Sequence, residues 1–129
     1  MKMSLARRVI AEFIGTAFLV AAVIGSGVMG DRLANGNVAL ALLANTIATG
    51  AALVALIFAF GGISGAHFNP VVSLMDAFER GLPWKETPHY VMGQVLGGIT
   101  GAVVGVPRIS PIVDDSRRAT AGSFLRWHP

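Results

Sequence analysis

The residues best placed to do chemistry surround one dipeptide, Asn69-Pro70, which follows the run Gly61-Gly62-Ile63-Ser64-Gly65-Ala66-His67-Phe68. Asparagine before proline is a helix start. The side chain supplies an acceptor for an orphan amide, and proline at the first helical position removes a donor that would have had no partner. A helix from Asn69 should run to Glu79, where Arg80-Gly81-Leu82-Pro83 stop it. About 11 residues at 1.5 Å each give roughly 16 Å, half a bilayer. The chemistry on offer is non-covalent. The Asn69 NH₂ can donate to a water or hydroxyl oxygen, and the helix N-terminus adds roughly half a positive charge that opposes protons and cations. His67 has two readings, a loop histidine bonded to neighbouring backbone or a group lining a solute path. Covalent catalysis has little material: the 3 His and 7 acidic residues gather in no nucleophile or metal-ligand spacing, and there is no Cys. Neither an enzyme nor a bound cofactor is expected.

Such a half-length helix needs elements that can hold it, and the composition says which. Hydrophobic residues make up 53% of the 129 and charged residues 13%, against roughly 25% charge in a soluble domain. The chain reads as an all-α membrane protein. Its net charge of +3 comes without a basic stripe interleaved with aromatics, so nucleic acid is not an expected partner. The partner is the lipid bilayer.

Three spans are expected. The first runs from Val9 to about Met29, with Glu12 its one charged residue; the second from Val38 to Phe60, uncharged; the third from Pro88 or His89 to Val106. Each approaches the ~20 residues a hydrocarbon core requires. The first is too long for a secretory h-region and lacks an A-x-A cleavage site. Between the second and third spans, the glycines of 61–68 should leave the backbone extended, since each costs about 1 kcal/mol in a helix relative to alanine. A carboxylate facing lipid is expensive, so Glu12 should accept hydrogen bonds from that re-entrant backbone. Gly93, Gly97, Gly101 and Gly105 recur every four residues, which puts them on one face where another helix can approach closely. Lys2, Arg7, Arg8, Arg80 and Lys85 fall on one side of this arrangement and Arg32 on the other. That bias predicts a multi-pass cell-membrane protein with a cytoplasmic amino terminus. Past Pro107 the residues are polar and charged, with no spanning run. Residues 1–106 and 107–129 therefore read as separate regions, the second an irregular tail.

The ordered set Ala11-Glu12-Phe13-Ile14-Gly15-Thr16, Ser64-Gly65-Ala66-His67-Phe68-Asn69-Pro70-Val71, and Tyr90 with Gln94 and Gly98 resembles the major intrinsic protein family, the aquaporins and aquaglyceroporins. The likeness covers residues 1–106 and is to the N-terminal half of that fold, in which two inverted halves bring their half-helices end to end; the tail at 107–129 is expected to fall outside the family pattern. It implies that the carbonyls of Gly65, Ala66, His67 and Phe68 point into a pore and that Asn69 and Pro70 form one side of its centre. It further implies that Gln94 braces the loop. Val71 stands where the family usually has alanine. Thr49, 20 residues before Asn69, occupies the position that contributes one side of the outer constriction. A threonine there implies an opening wide enough for glycerol or a neutral metalloid hydroxide, unless it bonds only its own helix. The expected function is passive passage of water or small neutral solutes by a truncated channel that needs a second half or an oligomer. The alternative is a non-conducting membrane fragment that associates with other helices.

Overall fold

The computed structural model describes residues 3–106, so the expected tail at 107–129 lies outside the described residues. Four helices follow in order: α1 (Leu5–Leu33), α2 (Val38–Ser64), α3 (Pro70–Phe78) and α4 (Thr87–Gly105). Helices α1 and α2, with 29 and 27 residues, are long and apolar enough to cross a membrane. At 1.5 Å per residue they reach about 44 and 40 Å, beyond a hydrocarbon core of about 30 Å. Helix α4 has 19 residues, about 28 Å. Its glycines and its polar start, Thr87-Pro88-His89, make it less apolar than the other two, and its place as a third span rests on how it packs.

That packing is parallel to α1 and in register. Gly93 lies against Val9, Gly97 against Phe13, Gly101 against Ala17 and Gly105 against Ala21, a constant offset along both chains. The four glycines are buried. Each removes the side chain that would hold the two backbones apart, which is how helices associate where lipid supplies no hydrophobic drive. Helix α2 returns antiparallel through a tight turn at Asn35-Gly36, both left-handed with φ of 48° and 84°, a conformation these two residue types tolerate best. Gly30 then sits against the Ala41 backbone.

The outer surface is the inverse of a soluble domain. Within α2 only Ser64 is buried, while Leu42, Ile47, Val54 and Phe58 are all exposed. Apolar surface of this extent is suited to lipid or to another helix.

Two expectations about the connection need correcting. Helix α2 does not stop at Phe60; it continues through Gly61, Gly62 and Ile63 to Ser64. The propensity cost of the glycines is outweighed because leaving the helix would free backbone groups that lipid cannot satisfy. The non-helical segment is correspondingly short, Gly65 to Asn69. The half-helix is also shorter than the spacing suggests: Pro70–Phe78 is 9 residues, with Asn69 and Glu79 as its caps, or about 14 Å.

Candidate functional site

The site is built where the chain turns from α2 into α3. Gly65 caps α2 in the left-handed conformation, φ 95°, with its amide donating to the Gly61 carbonyl at 3.0 Å. Ala66 and Phe68 are also left-handed, at φ 54° and 49°, which costs a non-glycine residue on the order of 1 kcal/mol or more. The surroundings compensate. The Phe68 ring is buried, fills the space over Gly15 and meets Phe60 edge to face with centroids 6.1 Å apart. Asn69 then returns to extended backbone, and its Oδ1 accepts from the Val71 amide at 2.8 Å. With its oxygen turned inward to the helix, the exposed Asn69 side chain keeps an NH₂ that can donate outward.

Glu12, fully buried on α1, holds this turn. One carboxylate oxygen accepts from Ser64 Oγ at 2.6 Å and the His67 amide at 3.0 Å. The other accepts from the Phe68 amide at 2.7 Å and Gln94 Nε2 at 2.8 Å. The Ala66 amide donates to Ser64 Oγ at 3.2 Å. The amides of residues 65 to 68 thus all have partners. Their carbonyls have none among the described residues. The turn's amides are locked into protein, while its four carbonyls remain available as acceptors.

Gln94 bridges α1 and α3, because its Nε2 also donates to Ser73 Oγ at 2.8 Å. Both amide hydrogens are engaged, so its Oε1 is buried without a partner among the described residues. Ser73 Oγ, having accepted from Gln94, also hydrogen-bonds with His67 Nδ1 at 3.0 Å. The other ring nitrogen, Nε2, lies 3.5 Å from Asp76 Oδ2. His67 is thus bonded to side chains of α3 rather than to neighbouring backbone. Thr49 likewise makes no bond to its own helix backbone among the described residues; its Oγ1 lies 3.3 Å from the Asn45 side chain.

Ser73 belongs to the network without being singled out in the sequence. Ser73 and Ala77 are the buried residues of α3, one turn apart, and small residues at that spacing on a half-helix are the clue to its inner face. Tyr90, fully buried, donates its hydroxyl to the Ser64 carbonyl at 2.8 Å and accepts from Arg8 Nε at 2.9 Å. Arg8 also pairs with Glu86 at 2.6 Å. These contacts tie the starts of α1 and α4 to the end of α2.

The sequence matches the major intrinsic protein family over residues 1–122, a range that runs past Val106 into the polar tail. It is 53% identical over 100 residues to an aquaglyceroporin, AqpS, of Rhizobium meliloti, covering 78% of this chain and 42% of that protein. Over 100 residues it is 36% identical to a probable aquaporin, NIP7-1, of Arabidopsis thaliana, covering 78% of the chain and 35% of the relative. Aquaporin NIP1-1 of Oryza sativa subsp. japonica is 40% identical over 96 residues, 74% of the chain and 33% of the relative. The chain thus spans between 33% and 42% of the length of these relatives. It belongs to the major intrinsic protein family, whose N-terminal half it carries.

Proposed function

We propose that this chain supplies one half of a passive channel for water and small neutral solutes, with Asn69 and Pro70 at the centre and the carbonyls of Gly65, Ala66, His67 and Phe68 along the path. The observation that carries this reading is the unequal bonding of the turn: four amides held by Gly61, Ser64 and Glu12, and four carbonyls without a partner among the described residues. Unpaired carbonyls at bilayer depth are tolerated only against protein or a water-filled path, where they replace the hydration of a passing solute. The name of the Rhizobium relative, an aquaglyceroporin, supports glycerol-sized solutes, as does the size of Thr49.

A second half-repeat is required. The α3 N-terminus at Asn69 is exposed, and three spans cannot surround it. Copies inserted in one orientation cannot supply an inverted repeat, because its two-fold lies in the membrane plane. The basic bias of Arg7, Arg8, Arg80 and Lys85 over Arg32 favours that single orientation, with the amino terminus cytoplasmic. A helix-association role without conduction is the competing reading, and the burial of Ser64 alone among the residues of α2 is what favours it.

Osmotic shrinkage of vesicles separates the two. Vesicles holding this chain alone should behave like empty ones, whereas those co-inserted with a matching second half should shrink rapidly and also admit glycerol. In the co-inserted assembly Thr49→Phe should lower glycerol passage several-fold more than water passage, because the ring narrows one wall without adding charge. Equal flux from both preparations would overturn the half-channel reading.

A further inference from the structure

On the seam between α1 and α2, Ser26 Oγ lies 2.6 Å from the Ala22 carbonyl oxygen and 2.8 Å from Asn45 Oδ1. A serine hydroxyl has a single hydrogen. With the Asn45 oxygen facing it, one of these short contacts would join two oxygens with no hydrogen between them. The oxygen and nitrogen of an amide group are assigned from the hydrogen-bond network. Turning the Asn45 amide about gives each of the two short contacts a donor and an acceptor: Ser26 donates to Ala22, and the Asn45 NH₂ donates one hydrogen to Ser26 and the other to Thr49 Oγ1, 3.3 Å away. The amide oxygen then lies beside Gly27.

This arrangement decides what Thr49 can do. Thr46 and Thr100 each donate to the carbonyl four residues back, at 2.8 Å. Thr49 makes no such bond among the described residues and, as an acceptor from Asn45, keeps its hydrogen unengaged. We infer that Asn45 is a positioning residue for solute selection: it holds the half-buried Thr49 hydroxyl as a hydrogen-bond donor toward the solute path. The solutes this favours relative to water are neutral molecules with several acceptor oxygens, such as polyols. The inference rests on the half-channel reading above and deepens it.

Two measurements test it. In vesicles carrying the chain with a matching second half, Thr49→Val and Asn45→Leu should each lower glycerol flux several-fold more than water flux. The double variant should be no worse than Thr49→Val alone, since Asn45 acts through Thr49. A merely structural Asn45 would lower both fluxes together, or add its effect to that of Thr49→Val, and either result overturns the inference. The second measurement needs no flux. Nuclear magnetic resonance of the chain in micelles with ¹⁵N-labelled asparagine should find the Asn45 side-chain hydrogens protected from exchange and close to Ser26 and Thr49, with one losing protection in Thr49→Val. Wild-type vesicles that pass neither solute would count against the half-channel alone, while freely exchanging Asn45 hydrogens would overturn the inference whatever the vesicles do.

Discussion

Glu12→Gln is expected to release the re-entrant turn. The carboxylate accepts four hydrogen bonds, from Ser64 Oγ, the His67 and Phe68 amides and Gln94 Nε2, and all four partners are donors. Glutamine keeps one acceptor oxygen and turns an NH₂ toward two of those donors. At this depth no water replaces the lost bonds, and hydrogen bonds to a charged group contribute about 1.5–3 kcal/mol each. A loss on the order of 3 kcal/mol is a modest reading of two such bonds. Hydrogen exchange at the His67 and Phe68 amides in micelles reports it directly, with an expected acceleration of about a hundredfold. Glu79→Gln, on the exposed cap of α3, should leave those amides unchanged. Unaltered protection in Glu12→Gln would mean that Phe68 over Gly15 and Tyr90 on Ser64 hold the turn without the carboxylate.

The contrast between Glu12 and Thr49 indicates where sequence reading stops. A lone carboxylate in an apolar run must be bonded inside the protein, so the need for partners is legible at Glu12. The four partners are not, since they lie 52 to 82 residues away in sequence and are set by how three helices meet. The Asn69-Pro70 start is legible because capping is local chemistry, and the structure pairs Asn69 with the Val71 amide. The end of α2 is not legible from propensity alone: four residues after Phe60, Gly61 to Ser64, continue the helix because backbone satisfaction outweighs glycine entropy in lipid. Ser73 and Tyr90 are ordinary residues locally, and become parts of the site only once α3 and α4 are docked on α1. At Thr49, position suggests solute contact, but the role of Asn45 requires distances.

The glycine face of α4 gives the other large effect, with a sign that depends on position. An ideal Cβ at Gly97 would collide with the Phe13 carbonyl oxygen, and one at Gly101 with that of Ala17. Both obstacles are backbone and cannot swing away, so α1 and α4 would have to separate or shift. Gly97→Ala and Gly101→Ala should each destabilise by about 1–3 kcal/mol, the range for forcing extra atoms into a packed contact. Separation would also lengthen the Gln94 to Glu12 and Tyr90 to Arg8 bonds, which span the same seam at 2.8 and 2.9 Å. Gly98 is one residue along, and a Cβ there would meet Thr16 and Val20 at 4.0 Å, an ordinary contact. Gly98→Ala should therefore be neutral or stabilising by up to about 1 kcal/mol, through helix propensity. Thermal unfolding in micelles, followed by tryptophan fluorescence, ranks the three: Gly97→Ala and Gly101→Ala below wild type, Gly98→Ala at or above it. If all three fell equally, the loss would reflect helix flexibility along α4, and close approach of α1 would not be what the four-residue spacing provides.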